Sequence, residues 1–253
     1  MSPSLKLQDL FLNGKSVEYN SSVHFSHDFQ RVFLFVIDAI RLDFLSNDTL
    51  FPAMHRLLSH RPRNAALFGF RGEPPTVTSQ RLKALTTGTL PTFIDISSNF
   101  NSAYIKDDNI VDQIREHLRS RKGSQIEPMI CLGDETWGSL FPSQFDRSFL
   151  FDSFNTNDLY TVDDGIMKHL FEEMAANWSL FVAHFLGVDH VGHSFHARHY
   201  LMDEKIKLMD SLIMEVLTSL SNLVESLQLL IPGCESTARR CAAVGFRRSR
   251  HDG

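Results

Sequence analysis

The chain has 253 residues, 43% of them hydrophobic, and a formal net charge of −5. That length and apolar content suit one α/β domain with a sizeable core, and the acidic balance excludes a general nucleic-acid binder. Three cysteines are too few for a disulfide framework, and Cys131 sits in an apolar run that reads as core. Phe is frequent at 21 residues, which favours dry packing.

Residues 1–27 are polar and irregular. The first strand follows: six apolar residues, Val32 to Ile37, run unbroken into Asp38, as in strands buried on both faces of a parallel sheet. An acid at that end is costly to bury unless a metal or a backbone cap pairs with it. Pro52 to His60 reads as a helix with Met54, Leu57 and Leu58 on one face, and Ala65 to Phe70 as a strand. Pro74 and Pro75 forbid helix before Thr76. Thr78 is then placed as an N-cap for a helix over 79–87, with Gly88 at the left-handed C′ position and Pro91 blocking continuation. A hydroxyl there sits in a positive field that favours an alkoxide and a bound phosphate.

Asp108 to Arg121 reads as an amphipathic helix, with Ile110, Val111, Ile114 and Leu118 inward and Gly123 ending it. Met129 to Leu132 is the next buried strand, and Asp163 to Met174 a helix using Ile166, Leu170 and Met174. The apolar run from Leu180 precedes Asp189-His190-Val191-Gly192-His193. Asp189 and His193, four residues apart, can face one side of a single turn and grip one divalent metal. An ordinary polar turn or helix cap is the competing reading. Asp203 to Leu227 is the clearest helix, with Ile206, Met209, Ile213, Val216, Leu220, Leu223 and Leu227 at three- and four-residue intervals. Strand and helix alternate, so the fold class is α/β, a sandwich with a largely parallel sheet. No apolar run is long enough to span a bilayer, and the first residues carry no signal-peptide pattern. Sequons at Asn20, Asn47 and Asn177 are compatible with a lumenal location.

The order strand-Asp38, Thr78-helix-Gly88, Asp189-x-x-x-His193 resembles the alkaline phosphatase superfamily. Asp38 to Phe44, Gln80 to Asp95, Gly133 to Trp137 and His184 to His193 are more specifically similar to the GPI ethanolamine phosphate transferases, of the type acting on the third mannose. The resemblance covers residues 28 to 227 and implies an alkaline-phosphatase-like domain, incomplete at its C-terminus. It implies Thr78 as nucleophile, carrying phosphoethanolamine from phosphatidylethanolamine to a mannose of the GPI-anchor precursor. Thr76 competes for that role. The ten-residue distance from Thr78 to Gly88 matches the spacing in the superfamily.

The resemblance further implies two zinc ions, one on Asp38 and Thr78 and the other on Asp189 and His193. Zinc suits imidazole better than magnesium does. Asp134, Glu135 and Trp137 are pocket candidates, where an acid beside an indole face would suit an amine. His184 and His190 read as core-packed or supporting residues, and Asp43 as structural. The implied setting is the endoplasmic reticulum membrane, with the catalytic domain lumenal, a GPI-mannolipid acceptor and a small membrane partner subunit. From Gln228 the chain departs from the family pattern. No Gly-Asp-His-Gly motif follows, and residues 228–253 form an Arg-rich tail without periodicity, expected to be disordered. A frameshift, retained intron or truncated gene model would produce such a tail, and so would a basic anchor for phosphates. Taken literally, two ligands per metal predict poor zinc occupancy and no transfer. Two other readings stay open: a different metal-dependent phosphodiester or phosphomonoester hydrolase of the superfamily, and a non-enzymatic remnant.

Overall fold

The computed structural model describes residues 31–60, 77–89, 104–120 and 127–230, with side chains to 222. Four strands, β1 (Val32–Ile37), β2 (Met129–Asp134), β3 (Arg147–Phe151) and β4 (Leu180–Phe185), form one sheet of order β1-β4-β2-β3. Every pairing is parallel. Eight helices accompany the strands among the described residues: α1 (Leu42–Leu45), α2 (Pro52–His60), α3 (Thr78–Thr87), α4 (Ile110–Ser120), α5 (Glu135–Leu140), α6 (Thr161–Ala175), α7 (Gly187–Phe195) and α8 (Tyr200–Leu230).

The strand period of two sorts the core into two layers. Phe33, Phe35, Ile37, Ile130, Leu132, Phe181, Ala183 and Phe185 face one side, packed with α6, α7, α8 and α2. Val36, Met129, Cys131, Leu180 and Val182 face the other, with Leu82 of α3, Val111 of α4 and Trp137 of α5. Coverage on both faces explains why β2 and β4 are buried throughout and read as continuous apolar runs. The frequent Phe builds the seam between β1 and β4. Phe33 stacks on its register partner Phe181 at 4.9 Å, and Phe35 on Phe185 at 4.8 Å.

The expected α/β class and parallel sheet are present, and α2 has the expected bounds. Met54, Leu57 and Leu58 are only partly buried, while Ala53 is the fully buried residue of α2. Asp210 of α8 receives the N–H groups of Ala53 and Met54 at 2.8 and 2.9 Å, capping a helix that starts with proline. On α4, Val111 points inward, but Ile110 is half exposed, contrary to expectation, and the guanidinium of Arg115 is buried instead. Arg115 crosses to Asp146, a partner from a distant loop that helical periodicity cannot register. The edge strand β3 is absent from the expected elements because its sequence, Arg-Ser-Phe-Leu-Phe, is only half-buried. Helix α8 extends three residues beyond the expected 203–227 at each end. The expected 65–70 strand, Thr76, Pro91, Gly123, residues 1–27 and the tail from 231 lie outside the described residues. No helix among the described residues is long and apolar enough to cross a membrane.

Helix α6 begins on a second acidic device. Asp158 Oδ1 accepts the N–H groups of Tyr160 and Thr161; the Thr161 hydroxyl foremost, and then these two N–H groups, lower its pKa from 3.8 to about 2. A carboxylate with a depressed folded pKa contributes stability that is complete above pH about 4 and is lost as pH falls toward 2. Asp158→Asn should therefore flatten the acid limb of stability between pH 4 and 2. Urea midpoints measured across that range for both proteins check it.

Candidate functional site

Strands β1, β4 and β2 end together, and each delivers an acid to the same rim, where open α/β sheets hold their ligands. Asp38 follows β1, Asp134 closes β2, and Asp189 lies four residues past β4. The Asp38 N–H still bonds the Phe185 carbonyl at 2.9 Å, so the ladder carries the acid to the rim. The next residue, Ala39, takes φ 56°, and its N–H donates to Asp38 Oδ1 at 2.8 Å. A left-handed alanine costs about 1 kcal/mol, strain of the kind that gathers at functional sites.

The other oxygen of Asp38 receives the Thr78 hydroxyl at 2.9 Å. This corrects the expected cap. Helix α3 begins at Thr78 itself, after Val77, and no side chain caps it. The hydroxyl is committed across the chain to Asp38 rather than to the backbone of its own helix. Gly88 ends α3 in the expected left-handed conformation, at φ 67°.

Below Asp38 lies a buried network. His184 sits with Nε2 3.9 Å from Asp38 Oδ2 and Nδ1 3.4 Å from Asp134 Oδ1. The Trp137 indole N–H donates to that same Nδ1 at 3.0 Å. Indole is a donor only, so this bond needs a lone pair on Nδ1 and puts the neutral ring's proton on Nε2, facing Asp38. Burial works against charge on His184, but the carboxylates of Asp134, Asp38 and Asp163 outweigh it and raise its pKa. The pull toward a proton on Nδ1 thus competes with the indole. The indole contact is the shorter, and we assign the tautomer from it. Asp134 is also nearly fully buried; burial raises its pKa, and His184, Thr136 and Ser153 reverse that and lower it overall.

Of the three pocket candidates, Glu135 is exposed, while Asp134 and Trp137 are interior. The Trp137 ring is fully buried against Phe141 and Phe145, so it acts through His184 rather than as an open wall. Asp43 is exposed and paired with the neighbouring Arg41, a local contact on α1. A surface hollow beside it, lined also by Leu42, Ser46, Asn47 and Asp48, contains none of the expected site residues.

Asp189 and His193 stand one turn apart on α7, Oδ2 to Nε2 3.4 Å, so the polar-turn reading gives way to a helix. His190 points inward instead, with Nδ1 2.6 Å from the Asp158 carbonyl. A carbonyl only accepts, so His190 carries its proton on Nδ1 and is a packed structural residue. The carboxylates of Asp38 and Asp189 and the imidazole of His193 are donor types that divalent ions such as zinc accept. Only Asp189 and His193 of these stand as a pair, and among the described residues no three His, Cys, Asp or Glu side chains converge on one position. His184, read as core-packed or supporting, is buried, and its bond to Trp137 and closeness to Asp134 had no signal in the sequence.

No family model matches the chain. It is 40% identical over 210 residues to GPI ethanolamine phosphate transferase 3, catalytic subunit, of Mus musculus and of Homo sapiens, covering 77% of this chain and 18% of each relative. GPI ethanolamine phosphate transferase 3 of Schizosaccharomyces pombe is 37% identical over 204 residues, covering 77% and 21%. The chain thus spans about a fifth of the length of the curated relatives it matches. Over three-quarters of its length the chain is thus similar to one segment of the GPI ethanolamine phosphate transferase 3 proteins.

Proposed function

We propose that the segment carries the phosphoryl-accepting half of a phosphoethanolamine transfer site in GPI-anchor biosynthesis. The observation that supports this most is the 2.9 Å hydrogen bond from the Thr78 hydroxyl to Asp38, at the head of α3 and the rim of the sheet. Asp38 orients the hydroxyl, and the N-terminal end of α3 favours negative charge on the oxygen and on a nearby phosphate. Thr78 Oγ1 attacks the phosphorus of phosphatidylethanolamine. The Oγ1–P bond forms, the bond from phosphorus to the diacylglycerol oxygen breaks, and that oxygen leaves with a proton in place of the one Thr78 gives up. A mannose hydroxyl of the GPI precursor then attacks, the Oγ1–P bond breaks, and its proton restores the Thr78 hydroxyl. The endoplasmic reticulum lumen is the compartment this reading implies.

Asp38 with Thr78, and Asp189 with His193, would hold the two zinc ions implied by the resemblance. Such ions, when bound, neutralise phosphate charge and lower the pKa of a hydroxyl. The Trp137–His184 pair keeps the back of Asp38 dry and fixed, which strengthens its hold on the Thr78 proton.

The test is an exchange. This segment replaces the matched residues of the mouse relative, and the chimera is expressed in cells lacking that enzyme. Restored phosphoethanolamine on the third mannose supports the reading. A folded chimera that cleaves simple phosphodiesters but transfers nothing would assign the site to a hydrolase, and one that does neither would make the segment non-catalytic. Asp189→Ala and His193→Ala should each lower bound zinc and transfer together, read by metal analysis beside the activity.

A further inference from the structure

Helix α7 carries both Asp189 and His193, yet its first turn has no cap of its own. Leu186 occupies the N-cap position and has no side-chain acceptor. The need is met from α6. Asp163, 1% exposed, accepts the N–H groups of Leu186 and Gly187 on Oδ1 at 3.0 Å each, and the Lys205 ammonium of α8 on Oδ2 at 3.0 Å. Lys205 is itself buried, 4.6 Å over the Tyr160 ring. Gly187 leaves the space for this approach, since a Cβ there would lie 2.1 Å from Asp163 Oδ2. One carboxylate therefore joins α6, α7 and α8 at the end of β4, two residues before Asp189.

A buried ion pair is a poor source of stability compared with apolar side chains of similar volume, but its directed bonds fix orientation. We propose that Asp163, paired with Lys205, is a positioning residue that sets the start and rotation of α7 and so aims Asp189 and His193 at the rim. The functional half of this proposal rests on the reading of those two residues as a metal pair.

The test reads amide hydrogen exchange residue by residue on the 253-residue chain, and titrates zinc alone calorimetrically into the chimeric transferase carrying the same substitutions. Asp163→Leu with Lys205→Met replaces the pair by apolar groups. It should stay folded by circular dichroism, lose exchange protection at Leu186, Gly187 and His190, and bind zinc about 10- to 100-fold more weakly. Asp163→Asn with Lys205→Met restores an acceptor for the two amides and should recover most of that loss. An apolar double variant with parental zinc affinity and parental protection overturns the proposal, as does an Asn variant that recovers nothing. His193→Ala is the control that separates the two ideas. Should it leave zinc affinity untouched, the metal reading fails, and exchange protection at α7 then decides alone whether Asp163 positions the helix. If the apolar double variant does not fold, Asp163→Asn with Lys205→Met is compared directly with the parent: intact protection and zinc affinity support the proposal, and loss of both with a native circular dichroism spectrum overturns it.

Discussion

Thr78→Ala in the chimeric transferase is expected to abolish transfer, by about 10⁴-fold or more, while leaving the fold in place. Among the described residues, the hydroxyl lost in that variant makes one hydrogen bond, to Asp38, and none to its own helix. Its removal should cost about 1 kcal/mol, small against the stability of a domain. The two effects therefore separate cleanly. Thermal melting should barely move, while phosphoethanolamine transfer to the acceptor glycolipid disappears. Thr78→Ser keeps the oxygen and should retain measurable transfer. Full transfer by the alanine variant would move the nucleophile elsewhere, with Thr76 the next residue to test.

Gly187→Ala should be the most destabilising small change in this part of the chain, at about 3 kcal/mol. The reason is space rather than backbone freedom. Gly187 does not take a positive φ; among the described glycines only Gly88 does. An added methyl would lie 2.1 Å from Asp163 Oδ2, 2.8 Å from Lys205 Nζ and 2.9 Å from its Cδ. Neither partner can withdraw without leaving a buried charge alone, which is itself a cost of several kcal/mol. Chemical denaturation of the 253-residue chain and the alanine variant checks this. A variant within about 0.5 kcal/mol of the parent would show that the junction of β4 and α7 yields more easily than its geometry indicates.

The two predictions fall on opposite sides of what the sequence makes legible. Asp38 at the end of an apolar strand, Gly88 after α3 and the long stripe of α8 are all readable because each depends on neighbours within a few residues. Thr78 shows the limit. Proline, hydroxyl and helix were legible as a helix start, but the hydroxyl's partner is 40 residues away, and the expected local cap was displaced by that tertiary bond. Ile110 and Arg115 show it again: periodicity turns Ile110 inward, yet it is half exposed, and Arg115, which no periodic reading places in the core, is buried on Asp146.

The sequence by itself determined the α/β alternation, the buried parallel strands, the acids at their ends and the spacing of Asp189 to His193, because helix and strand periods are short-range properties of the backbone. Only the tertiary structure decided that Thr78 bonds Asp38, that His184 is held between Trp137 and two carboxylates, and that Asp163 caps α7. Each of these joins side chains from separate elements, at sequence distances of 23 to 47 residues for the Asp163, Thr78 and Trp137 bonds. A buried polar atom must find a partner wherever packing brings one, and that choice is made by the arrangement of the layers rather than by any local pattern.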